Sequence, residues 1–215
     1  MTVFNRAQDP ISSETHFWGA VFSLLGFILM IIMAIINQVP VKIWFAIIIF
    51  GISLIALYSA SSIYHFCAYT KSFKNRLRKV DHAMIYVLIA GTYTPICLGF
   101  MPLDHAIKFL SFIWIMAGIG IISKIIWLNA PRTFYTILYL AMGWAIIFDF
   151  NALLFIPTNA FILLLLGGIS YSIGAFIYII KKPNISKRFG FHELFHIFIL
   201  IGTLFHFLLV IIFIL

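Results

Sequence analysis

Charge is scarce in this chain. Only 9% of its 215 residues are Asp, Glu, Lys or Arg, and only six of those are acidic, whereas a soluble domain carries roughly a quarter. A water-exposed surface cannot be built from so little, and with 64% hydrophobic residues and a mean hydropathy of +1.13 lipid must be the solvent for most of the exterior. Cysteine is equally sparse. Cys67 and Cys97 fall near opposite ends of adjacent apolar stretches, which excludes a disulfide framework and leaves both as packing residues. Runs such as 46–50 and 161–166 are apolar at every position and lack the polar alternation of a membrane β-barrel, so helices remain. No internal repeat and no low-complexity segment is found. A removable signal peptide is not expected either, because no small-residue cleavage site follows the first apolar run.

What is present is a series of apolar stretches bounded by charge, Pro or Asn. They predict one all-α domain with seven transmembrane helices near 17–36, 43–66, 80–100, 106–127, 134–155, 159–180 and 191–214, each about the 20 residues needed to cross a bilayer. Pro95 falls inside the third and is expected to kink it. The net charge of +8 does not indicate a nucleic-acid partner, because the basic residues sit in short loops rather than along a readout helix. Twelve of the fourteen are predicted on one side: Arg6; Lys71, Lys74, Arg76, Arg78 and Lys79; Lys124 and Arg132; and Lys181, Lys182, Lys187 and Arg188. Only Lys42 and Lys108 fall on the other. The positive-inside rule then predicts a cytoplasmic N-terminus and an extracytoplasmic C-terminus in a multi-pass protein of the inner (plasma) membrane, the reverse of G-protein-coupled receptors.

With direction assigned, depths can be compared. His65 ends the second span, Asp81 opens the third, and His192 and His196 open the seventh, so three helices are expected to deliver polar groups to one layer near the cytoplasmic face. His192 and His196 are one turn apart and share a helix face, as do Ser61 and His65. Three histidines and one open position make a catalytic zinc site, with Asp81 placed to hold or deprotonate a water. A lone histidine at an interface is more often a polar residue bonded to a carbonyl or headgroup, but several ionisable groups converging at one depth favour function. His192-Glu193-Leu194-Phe195-His196 also fits the H-E-x-x-H pattern of zinc proteases. His206 lies about 15 Å further along the same helix and cannot complete such a site, and Asp149 lies towards the outer end of the fifth span. His82 is expected to bond locally, His105 to be solvated in an outer loop, and His206 to be bonded within the bundle. The basic run 71–79 reads as an orientation signal with headgroup contacts.

Several segments together resemble the bacterial hemolysin III family, related to the progestin and adipoQ receptors and, more distantly, to alkaline ceramidases. They are Leu57-Tyr58-Ser59-Ala60-Ser61-Ser62-Ile63-Tyr64-His65, Asp81-His82-Ala83 with Ala90-Gly91-Thr92-Tyr93-Thr94-Pro95, and His192-Glu193-Leu194-Phe195-His196. The resemblance implies zinc on His65, His192 and His196, with Asp81 and Ser61 beside the water on the metal. Thr15-His16 followed by Gly19 resembles a further family element, but Glu14 lies directly against it, so Glu14 and His16 are left out of the metal shell. Three functions are weighed: a zinc-dependent hydrolase of a lipid amide or ester, with membrane lipids as partners; a receptor-like or membrane-homeostasis protein whose zinc braces helices; and a pore former. The pore is the least favoured, since no repeated polar stripe would line a channel.

Overall fold

The computed structural model describes residues 3–67, 70–186 and 188–215. A 3-10 turn, Val3–Arg6, precedes α1 (Pro10–Ile36), α2 (Val41–Phe66), α3 (Lys71–Phe100), α4 (Leu103–Ile126), α5 (Arg132–Gly143), α6 (Phe150–Leu154), α7 (Thr158–Ile180) and α8 (Phe191–Phe213). Proline sets most of the starts. Pro40, Pro102, Pro131 and Pro157 immediately precede α2, α4, α5 and α7, and Pro10 opens α1, where the missing N–H costs no hydrogen bond. Among the described residues six helices are long and apolar enough to cross a membrane: α1, α2, α3, α4, α7 and α8. Their outward faces carry large apolar side chains such as Phe22, Leu25, Ile32, Ile52, Ile119 and Phe176, as a multi-pass membrane protein requires.

Helix ends record the packing. Asp9 N–H donates to the His65 carbonyl at 3.0 Å, which sets the start of α1 against the end of α2. The Ser13 and Ser62 hydroxyls each donate to the other's carbonyl, at 3.0 and 2.9 Å. At the opposite end of α1 the Asn37 amide donates to the carbonyl of Leu215, so α1 and α8 run side by side in the same direction. Arg78 near the start of α3 donates to the Leu128 carbonyl just past α4 at 2.8 Å.

Two elements differ from the sequence reading. The basic run 71–79 is not a loop but the opening of α3, whose 30 residues span about 45 Å against a hydrocarbon core of about 30 Å. No Gly or Pro interrupts 71–90, so nothing stops the helix from continuing into the headgroup layer; it also runs on through Pro95 to Phe100. The stretch assigned to a single fifth helix, 134–155, is broken into α5, a 3-10 turn at Ala145–Phe148, and α6. Backbone groups freed by the break have partners. The Tyr93 hydroxyl of α3 donates to the Gly143 carbonyl at 2.6 Å and accepts from Ile146 N–H at 3.4 Å, while the Asp149 carboxylate accepts from Ala152 N–H at 3.0 Å. Trp144 donates its indole N–H to the Ser172 hydroxyl at 2.9 Å. Irregular backbone at membrane depth is tolerated where such partners exist and where it lines a cavity. Gly143, Trp144, Ile146 and Ile147 do line one.

Close helix approach depends on small residues, as it must where lipid supplies no hydrophobic drive between helices. A Cβ at Gly120 of α4 would overlap the ring of buried Tyr86 on α3, whereas one at Gly118, two residues away, would meet nothing within 4 Å. Gly120→Val should therefore destabilise the bundle by about 1–3 kcal/mol through overpacking, and Gly118→Val should stay within about 0.5 kcal/mol of wild type. Thermal unfolding of both variants in one detergent checks this; equal melting temperatures would refute the α3–α4 contact.

Candidate metal centre and its cavity

The polar layer forms where α1, α2 and α8 meet. His65 is in the last turn of α2, a helical turn after Ser61, and both side chains are buried. His192 and His196 occupy the first two turns of α8. That helix starts sharply because the Glu193 carboxylate turns back to accept from Gly190 N–H at 2.9 Å. Its other oxygen accepts from the Ser12 hydroxyl of α1 at 2.9 Å. Glu193 therefore caps α8 and ties it to α1. Both of its oxygens are engaged away from the role of a general base, so the resemblance of residues 192–196 to a protease motif does not extend to protease geometry.

One potential ligand nitrogen from each of His65, His192 and His196 lies within 4.8 Å of the other two. Nε2 of His65 and Nε2 of His192 are 3.2 Å apart. Two nitrogens bound tetrahedrally at about 2.0–2.1 Å would be about 3.3–3.4 Å apart, so this pair is already spaced to share one ion. The Asp9 carboxylate accepts from Nδ1–H of His65 at 3.0 Å, which leaves the Nε2 lone pair facing the cluster. This is the outer-sphere carboxylate that orients metal-binding histidines. The hydrogen bond from His65, ahead of the opposing effect of burial, holds the Asp9 carboxyl below its ordinary value and keeps it an anion. The Nδ1 of His196 is buried with no hydrogen-bond partner among the described residues. A buried polar atom left unpaired is costly; a cation held by the cluster would satisfy it. Donor type, spacing and the orphaned nitrogen all fit a metal ion.

Asp81, in the third turn of α3, is buried and borders the same cavity as the cluster. Ser61 borders the same cavity as Asp81, and the nearest ring nitrogen of His82 is 3.9 Å from the Asp81 carboxylate. Ser61, His65, Asp81, His192 and His196 all border a single cavity of about 650 Å³. It extends past Leu88, Ile96, Trp144 and Phe161 as far as His206, between α3, α5, α7 and α8. All five expected site residues are thus neighbours around one space.

Other sequence expectations fare differently. His206 is bonded inside the bundle, its ring 3.3 Å from the carbonyl of Leu164. His105 is not a solvated loop residue: it lies in the first turn of α4 and pairs with Asp149 at 2.6 Å, tying α4 to the broken fifth segment. His16, left out of the metal shell, is also outside the three-nitrogen group, yet its ring stacks on His196 at 3.6 Å and 9°. Asp9 and Ser12 are the residues missed. The only sequence signal for them was position at the start of the first span, level with the histidines. Both cysteines are free, and Cys97 is buried.

Comparison with known proteins identifies the family. A family model described as "Haemolysin-III related" matches residues 4–207. The chain is 36% identical over 204 residues to a hemolysin-3 homolog of Bacillus subtilis (strain 168), covering 94% of this chain and 92% of that one. It is 34% identical over 204 residues to hemolysin-3 of Bacillus cereus, covering 94% and 90%. A more distant similarity, 28% over 173 residues covering 74% of this chain and 66% of the other, joins it to the human monocyte to macrophage differentiation factor. The match covers the helices that carry all three histidines, Asp81 and Ser61, and the chain belongs to the haemolysin-III related family.

Proposed function

We propose that this protein is a zinc-dependent hydrolase of the bacterial inner membrane that cleaves an amide or ester bond of a lipid. The observation that carries the proposal is the opening of the three-histidine cluster onto an apolar cavity, with a carboxylate, Asp81, beside it. His65, His192 and His196 would hold the ion. Zinc, when bound, supplies a Lewis acid that polarises a carbonyl and lowers the pKa of water towards 7. The residues do the rest. Asp81 accepts the proton as the water oxygen attacks the carbonyl carbon, and returns it to the amine or alkoxide that leaves when the C–N or C–O bond breaks. Ser61, on the wall of the same cavity, has one hydroxyl hydrogen to give either to the Asp81 carboxylate or to the oxyanion that develops at the carbonyl. The apolar walls take the lipid chain and exclude bulk water.

The same reading assigns a single domain with seven crossings, N-terminus cytoplasmic, the broken segment from α5 to α6 serving as the fifth. Arg132, whose side chain donates to the Tyr178 carbonyl at the end of α7, and Asp149, paired with His105 at the start of α4, support a path from one face to the other. The basic residues then mark the cytoplasmic side. A structural reading of the metal also has support: the cluster joins α2 to α8, and Asp9 and Ser12 add α1, so zinc could brace three helices without turnover.

Three measurements decide among these readings. Purified protein should contain about one zinc per chain, strongly reduced in His65→Ala and His196→Ala, and Asp9→Asn should weaken zinc about 10- to 100-fold by removing the carboxylate that orients His65; full retention in all three by elemental analysis would refute the site. Asp81→Asn should keep zinc and melting temperature but slow lipid hydrolysis by about 10²–10⁴, followed by mass spectrometry of native membrane lipids. Equal turnover in the two proteins, or none in either, favours bracing. Finally, in a chain with Cys67 and Cys97 replaced by Ala, a cysteine at Lys74 should be labelled only from the cytoplasm and one at Asp104 only from outside; reversed labelling overturns the orientation.

A further inference from the structure

The far side of Asp81 holds cations that the hydrolytic reading does not use. Lys124, in the last turn of α4, is only 3% exposed. Its ammonium donates to the Leu128 carbonyl at 3.3 Å and sits 3.8 Å over the ring of Tyr135. Arg78, one helical turn before Asp81, uses Nη2 on the Leu128 carbonyl and the Asn129 side chain, while its Nε is buried with no partner among the described residues. Arg132, at the start of α5, is 4.4 Å over the ring of Tyr178 and 5.2 Å over that of Phe191. All three border the cavity that contains the histidine cluster.

Their charge is not balanced. Among the described residues every ion pair within 4.0 Å is a His–Asp contact, and no Lys or Arg has a carboxylate partner. The carboxylates bordering the cavity are Asp9, Asp81 and Glu193; Asp9 is bonded to His65, and Glu193 to Ser12 and Gly190. Asp81 alone interacts electrostatically with Lys124, and Arg78 opposes it by repelling Lys124. Three cations on the border of one cavity, one almost wholly buried and one with an orphaned donor, are expensive to keep unless an anion visits them. The ends of α3, α4 and α5 that carry them are on the side that the basic residues mark, which the proposed orientation sets at the depth of a headgroup.

We infer that Lys124 and Arg78, assisted by Arg132, form a subsite for the phosphate of a lipid headgroup, so that the lipid bound here is an anionic phospholipid with its chains in the apolar part of the cavity. The Lys124 ammonium and the Arg78 guanidinium meet at the Leu128 carbonyl, and with Arg132 on the wall of the same cavity they offer charged donors to the three free oxygens of a phosphate monoester. This deepens the lipid-hydrolase reading and rests on it for the identity of the cavity as a lipid site, but it is tested by binding alone.

The experiment uses the zinc-loaded full chain in a neutral detergent, with dioleoyl phosphatidic acid, dioleoylglycerol, oleate and inorganic phosphate titrated separately and complexes counted by native mass spectrometry. Phosphatidic acid should bind at least about tenfold more tightly than dioleoylglycerol, and Lys124→Met and Arg78→Gln should each remove about tenfold or more of that preference. Lys124→Arg should restore most of it, and Lys181→Gln, outside the cavity, should leave it intact. Tight inorganic phosphate binding that is lost in Lys124→Met, with no gain from the acyl chains, would keep the oxyanion subsite but assign it to a free ion. Equal binding of phosphatidic acid and dioleoylglycerol, equal losses for oleate and phosphatidic acid, or unchanged preference in both variants would overturn the proposal. Zinc content is measured on the same samples, so loss of the metal site and absence of the phosphate subsite are read apart.

Discussion

The contact between the first residues of α1 and the last turn of α2 governs the functional end of this molecule. Asp9 meets His65 twice, through its backbone N–H to the His65 carbonyl and through its carboxylate to Nδ1. The first bond satisfies a helix-end carbonyl that would otherwise be unpaired; the second fixes which nitrogen of His65 faces inward. From there the reciprocal Ser13–Ser62 bonds carry α1 along α2, and the Ser12–Glu193 bond brings in α8. The histidines of α8 reach His65 because three helices are stapled by polar side chains within the first turns of α1. In a lipid-solvated protein such bonds act where the hydrophobic effect cannot discriminate between one apolar face and another.

A second layer of polar contacts serves the cavity. The broken fifth segment leaves room between α3, α7 and α8, and its exposed backbone groups are met by Tyr93, while Trp144 bonds to Ser172. The cavity thus follows from local irregularity compensated by side chains of neighbouring helices, and the His105–Asp149 pair holds the far end of the same segment to α4.

Much of this was legible in the sequence, for identifiable reasons. Six helices follow from long apolar runs, most of them with Pro at a border, a signal local to each run. His65, His192 and His196 could be grouped because depth in a membrane reduces a three-dimensional question to a comparison of positions along parallel rods, and the spacing of His192 and His196 fixes a shared face. Asp81 and Ser61 followed from the same comparison. The misses share a cause as well. Asp9 lies 56 residues from His65 in the chain, and its orienting role depends on how α1 docks, which no periodicity encodes. The break at Gly143 and Trp144 sits within a run as apolar as its neighbours, so hydropathy could not separate it from a continuous span. His105 was assigned to solvent because its partner Asp149 is 44 residues away.

Short motifs and charge runs change meaning once geometry is available. His192-Glu193-Leu194-Phe195-His196 contains the letters of a zinc protease, but Glu193 at the third position of α8 serves the end of its own helix. The basic run opening α3 shows the converse. Read as a loop, it was an orientation signal alone. As a helix, its residues acquire faces: Lys74 points to Gln8 and the ring of Tyr64, while Arg78, one turn later, borders the cavity with Asp81 a further turn of three residues on. A helix that extends a headgroup depth beyond the apolar core can orient the protein with one face and address a bound lipid with another, and the periodicity of 3.6 residues that separates the two faces is absent from any count of charges per loop.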